Sequence, residues 1–104
     1  MATETTTYQI VYWRDIPAQV KVRAGRVRAG KPLSDRFQVA IDQAAMRTGA
    51  SGTDAYLAEW WASEPCERDG DPGVLAAQLV AELEAAYPPE RLKALADNGG
   101  RAIE

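Results

Sequence analysis

The stretch from Tyr8 to Arg23, YQIVYWRDIPAQVKVR, decides the fold. Successive side chains of a strand point to opposite faces, so Tyr8, Ile10 and Tyr12 share one side of the first run while Gln9, Val11 and Trp13 share the other. Both sides carry apolar bulk, which marks a central strand. Asp15-Ile16-Pro17-Ala18 interrupts the run: an Asp side chain bonds the backbone ahead of it, and Pro17 removes a donor while fixing its own φ. A chain reversal follows. In the second run, Gln19 to Arg23, Val20 and Val22 form a buried face, and Gln19, Lys21 and Arg23 a wet one. It reads as an edge strand whose Lys21 and Arg23 discourage further pairing.

Working outward, Ala24 to Lys31 (AGRVRAGK) contains two glycines and the cations Arg26, Arg28 and Lys31 but no helical stripe, and reads as a loop. Ser34 is a suitable N-cap for a helix over 35–48, with Phe37, Ile41, Ala44, Ala45 and Thr48 as its apolar stripe and Gly49 at its end. Tyr56 to Trp61 fits two descriptions. As a strand it alternates Tyr56, Ala58 and Trp60 against Leu57, Glu59 and Trp61; as a helix capped by Thr53 it pairs Tyr56 with Trp60 and Leu57 with Trp61. The strand is preferred, because a lone hairpin is marginal in water and a third strand gives the first helix a surface to cover.

Asp71-Pro72 opens a helix over 72–87 built on Leu75, Leu79 and Leu83, and Pro88-Pro89 ends it. A short helix over 90–96 follows. Residues 1–6 and 98–104 are expected to be loose ends, a disordered N-terminus and a flexible tail, leaving one domain over 7–97. The order β-β-α-β-α with a right-handed crossover predicts an α+β two-layer sandwich: a three-stranded antiparallel sheet in the order 2-1-3, with helices on one face.

A chain of 104 residues has room for one core and no second domain. Its apolar share of 46% and charged share of 26% are those of a folded chain. It has no apolar run near the length of a membrane span and no secretory segment, so the expected location is the cytoplasm. Cys66 is the single cysteine, lying between Glu64 and Glu67, and reads as an inert loop thiol; histidine is absent. That inventory lacks the commonest general base, the commonest zinc ligand and every His-activated nucleophile, so no catalytic residue, metal site or cofactor is expected. The net charge of −3 hides an asymmetry. Between Arg14 and Arg36, seven cations (Arg14, Lys21, Arg23, Arg26, Arg28, Lys31 and Arg36) face two acids, Asp15 and Asp35.

Three groups are candidates for binding. Lys21, Arg23, Arg26, Arg28 and Lys31 beside Tyr12 and Trp13 offer charge to an anion or acidic protein surface and rings for stacking; the plainer description is a solvated edge and loop. Arg14 and Asp15 are positioned to orient a ligand, although turn-capping accounts for both. The aromatics Tyr8, Tyr12, Trp13, Tyr56, Trp60 and Trp61 exceed what one helix-covered face absorbs, so at least one of Trp13 and Trp61 is expected on the outer face as part of an interface. A pI near 5.0 and the absence of a nucleic-acid motif disfavour DNA or RNA.

The segments VYWRDIPAQV (11–20), RFQVAIDQAAMRTG (36–49) and GTDAYLAEW (52–60) give the chain a resemblance to the small bacterial virulence factor domain family and to the C-terminal module of a longer conserved virulence factor with helical repeats. The resemblance runs over most of residues 8–61; beyond Trp61 the chain reads as a generic helix. It implies no catalytic residues or cofactor. It does imply company with folate- and corrinoid-dependent methyl-transfer enzymes. The expected function is a non-catalytic accessory module that docks a protein partner, or a second copy, through an aromatic sheet face and a basic loop. The alternative is a binder of a small anionic or folate-type ligand.

Overall fold

The first strand, β1 (Thr6–Trp13), has neighbours on both sides, as its two apolar faces predict. The computed structural model describes residues 5–50 and 52–102. After β1 come β2 (Ile16–Ala24), β3 (Val27–Pro32), α1 (Asp35–Arg47), α2 (Thr53–Ala58), β4 (Trp60–Ala62), β5 (Cys66–Glu67), α3 (Pro72–Ala86) and α4 (Pro89–Asp97). The α+β class holds, with a sheet larger than expected: β3-β2-β1-β4, with β5 also pairing β1, all antiparallel. The expected 2-1-3 order survives as β2-β1-β4, since β4 occupies the place of the third strand.

Two corrections follow. Residues 27–32 are a strand and not a loop, so β2 is internal and β3 is the edge. Gly25, at φ 58°, is the first residue of a two-residue turn that closes β2 onto β3, which is why a glycine read as a loop marker sits inside a hairpin. The segment after Gly52 is both of its alternatives in succession, a helical turn through Ala58 and then a strand from Trp60.

Cross-strand pairing sorts the sheet faces. Tyr8 opposes Val22, and Ile10 opposes Val20, all on one face; Val20 and Val22 pack on Leu75, Ala76 and Leu79 of α3. Asp71 caps α3 by accepting the Val74 N–H at 3.2 Å, with Pro72 at the first helical position. Beyond Val11 the register slips, so that Tyr12 meets Pro17 and Trp13 meets Ile16. Trp13 and Ile16 are fully buried in a second cluster with Phe37, Ile41 and Ala44 of α1 and Leu92 and Leu95 of α4. Ser34 does not cap α1 with its side chain. Its N–H and hydroxyl instead donate to the Glu84 carboxylate of α3 at 2.7 and 2.8 Å, and Arg36 pairs with the same carboxylate at 2.7 Å.

The tail expected to be loose is fixed through residue 102. Asp15 N–H donates to Gly100 O at 2.8 Å, and the Ala102 N–H donates to Asp15 Oδ2 at 2.7 Å. Gly100 has φ 88°, and a Cβ there would lie 3.0 Å from Cζ3 of Trp13. Only glycine satisfies both the backbone and the ring beneath it. Gly100→Ala is therefore expected to lower stability by about 1–3 kcal/mol, read as a shift in the urea midpoint with an unchanged slope. At the other end Thr6, placed with the disordered residues by its composition, begins β1, is buried, and donates its hydroxyl to Gly70 O at 2.7 Å. The rest of the expected disordered segment is Thr5, which is exposed, and residues 1–4, which lie outside the described residues.

Candidate functional site

β2 and β3 bring their cations together beside β1, because the three strands stay in register over this stretch. Thr7, Arg23 and Arg28 form one cross-strand row, and Gln9, Lys21 and Gly30 another. The row between them, Tyr8, Val22 and Ala29, turns the other way, toward α3. Lys21, Arg23 and Arg28 thus project from the face that α3 does not cover. Together with Thr7, Gln9 and Gly30 they line an open concavity of about 430 Å³ that Pro65 borders. Pro65 reaches this position because Ser63 interrupts the β1 ladder: its hydroxyl accepts the Ile10 N–H at 2.9 Å, and its carbonyl accepts the Gln9 side-chain amide at 2.9 Å.

The charge here is unanswered. No ion pair among the described residues includes Lys21, Arg23 or Arg28, and all three are exposed. A second hollow, of about 490 Å³ between α1 and α4, differs: its Arg47 and Lys93 both pair with Asp97. Glu67 of β5 is the acid that pairing adds to the basic rows, opposite Thr7 and two strands from Arg23, and it forms no ion pair with their cations. The three cations outnumber it, and an anion placed among them relieves their mutual repulsion.

The other expected site residues separate. Arg26 is at the β2–β3 turn, and Lys31 pairs with Val20, so it belongs to the opposite face. Trp13 is closed to any ligand: it is wholly buried, and its indole N–H donates to Tyr56 O at 2.9 Å. Trp60 is half-buried against the same cluster. Of the three tryptophans Trp61 alone is exposed, at 49%, stacked on Tyr12 with centroids 4.7 Å apart. By alternation Tyr12 follows Tyr8 and Ile10, so the exposed ring pair does not share a face with the basic rows. Along β1, the six steps from Thr7 to Trp13 span about 20 Å.

Arg14 and Asp15 make their contacts within the chain itself. Arg14 adopts φ 54° at the hairpin turn, and its neighbours hold it there. Its guanidinium bonds Glu59 Oε1 at 3.1 Å and Gly99 O at 2.9 Å and lies over the Trp13 ring at 5.0 Å, while its carbonyl accepts the Trp61 indole N–H at 2.6 Å. Asp15 is committed to the tail. The turn is a junction of β1, β4 and the segment after α4.

The chain matches the family described as Virulence factor over residues 11–96. It belongs to that family. The match takes in α3 and α4, so the family's shared region is larger than the segments up to Trp61 suggested. No curated protein and no solved structure shows a significant match to the chain. The family description names no reaction. Within the matched region lie Lys21, Arg23, Arg28 and Gly30; Thr7 and Gln9 precede it.

Thr7, Gln9, Gly30 and Pro65 had no sequence signal as site residues, because their place follows from pairing and from the Ser63 interruption. Tyr8 and Tyr12 titrate above the ordinary phenol value: burial is the main cause in both, aided by Cys66 at Tyr8 and by Tyr87 and Asp15 at Tyr12. The folded protein therefore holds these protons after the unfolded chain has released its own near pH 10. Stability is expected to be flat with respect to these groups below that pH and to fall above it. Urea midpoints between pH 8 and 11 measure the slope, and Tyr12→Phe should flatten it.

Proposed function

We propose that this virulence factor family member is a non-catalytic binding module that docks an acidic surface of a protein partner on the open basic face of its sheet. One observation carries the reading: Lys21, Arg23 and Arg28 converge on an uncovered concave face, outnumber the one acid of their rows, Glu67, and form no ion pair among the described residues. An acidic protein surface supplies the missing charge, and like-charged surfaces are excluded by repulsion, so the same three residues provide attraction and selectivity. The non-catalytic part rests on a chain without histidine and on the absence, among the described residues, of any group of three acidic, Cys or His side chains that could hold a metal. No helix among the described residues is long and apolar enough to cross a membrane.

The test is co-purification of the tagged protein at low salt, side by side with its Lys21→Glu/Arg28→Glu variant. Retention of a stoichiometric acidic protein that elutes with salt and is missing from the variant supports the reading. Recovery of the protein alone, or equal retention by the variant, overturns it.

The size of the concavity favours a second reading, a small anionic ligand, since about 430 Å³ lies within the range of small-molecule sites. A thermal-shift screen with phosphates, nucleotides and folates addresses it. A ligand at a hundred times its dissociation constant is expected to stabilise the fold by about 2.7 kcal/mol, and no shift with any anion retires this reading.

A further inference from the structure

The basic face ends at β3, whose outer edge pairs with no strand among the described residues. We propose that this edge takes up an acidic, extended segment of the partner as an additional strand of the sheet; the inference rests on the reading of the basic face given above. A sheet edge presents N–H and C=O groups at fixed spacing, and an extended segment satisfies them without a fold of its own. β3 is suited to this. It runs in unbroken antiparallel register with β2 from Val27 to Pro32, and Pro32, its one residue without an N–H, comes last.

The register specifies what the segment carries. A strand laid beside β3 extends the cross-strand rows, so its residue opposite Arg28 joins the row of Thr7 and Arg23, and its residue opposite Gly30 joins the row of Gln9 and Lys21. Carboxylates at those two positions meet the cations. Gly30 has no side chain to stand between Lys21 and the added strand, and two strand spacings of about 10 Å are within the combined reach of a lysine and a glutamate. The alternate positions of the segment face the side of α3, which packs along β3. There Val27 is 58% exposed and Val74, in the first turn of α3, is 55% exposed. The favoured segment is therefore acidic at every second residue and apolar between. The same charges argue against a second copy of the chain: β3 carries Arg28 and Lys31 and no acid, so pairing it with its own copy sets cations against cations.

The experiment uses the whole chain and three labelled decapeptides: alternating Glu and Val, the same sequence N-methylated throughout, and five Glu followed by five Val. Fluorescence anisotropy gives their affinities, and amide hydrogen exchange follows β3. The alternating peptide is expected to bind and to slow exchange in β3, with the N-methylated and block peptides weaker by at least about tenfold. Equal affinity for all three overturns strand addition and leaves the basic face as a simple electrostatic surface. Binding by none of them overturns the reading of the face and this inference with it. Sedimentation showing a dimer that Arg28→Glu strengthens would assign the edge to a second copy and also overturn the inference.

Discussion

Trp13→Ala is expected to remove about 3–5 kcal/mol of stability, a large part of the roughly 5–15 kcal/mol that a domain of this kind possesses. The indole is wholly buried, and it is where the segments of the fold meet: Tyr56 stacks on it at 5.8 Å, the backbone of Gly100 lies against its ring, and the Arg14 guanidinium covers it. Truncation leaves a cavity that three separate segments line, and removes the ring on which Arg14 and Gly100 pack. It also strands the Tyr56 carbonyl, which accepts the indole N–H. Trp13→Phe retains a ring and isolates that last effect, for which about 1–3 kcal/mol is expected. Urea unfolding followed by far-UV circular dichroism measures both. A Trp13→Ala protein within 1 kcal/mol of the parent would show that the hairpin end is not organised around this side chain.

The second large effect is on binding and leaves the fold alone. Lys21→Glu with Arg28→Glu changes the three cations of the open face to one cation and two acids. Loss of two attractive contacts and gain of two repulsive ones is expected to weaken an acidic partner by about a hundredfold or more, mainly through slower association at low salt and faster dissociation. Because both residues are exposed and neither belongs to an ion pair among the described residues, stability should change by less than about 0.5 kcal/mol per site. Trp61→Ala, at the far end of β1 and on the other face, should leave acidic-partner binding within about twofold of the parent, a change well under 1 kcal/mol. Surface plasmon resonance at two salt concentrations compares the three proteins.

How much of this was readable in the chain depends on which force fixed each part. The hairpin, α1, α3 and α4 were legible because burial writes itself into periodicity: Val20 and Val22 alternate, and Phe37, Ile41, Ala44 and Ala45 recur at helical spacing. β3 was not legible. An edge strand needs only a little apolar surface, here Ala29, and it carries the charges and glycine that resemble a loop. The ordered tail was hidden for a related reason, since Gly99 and Gly100 owe their burial to the lack of a side chain beside Thr48 and Trp13. Among the site residues, the cations were visible by composition, but which of them converge was decided by pairing. Register joined Lys21, Arg23 and Arg28 and sent Lys31 to the other face. Of the two tryptophans expected to leave one ring exposed, Trp61 is exposed, while α1 and α4 close over Trp13 and bury it.

The working surface is the bare, cationic side of β1, β2 and β3, and backbone NMR of the isotope-labelled protein during titration with a decaglutamate peptide tests that directly. The account predicts chemical-shift changes concentrated at Thr7, Gln9, Lys21, Arg23, Arg28 and Gly30, diminishing with salt and absent from Tyr12, Trp61 and the outer side of α1. Changes centred on Trp61 or on the α1–α4 hollow, or a spectrum that does not respond, would contradict it.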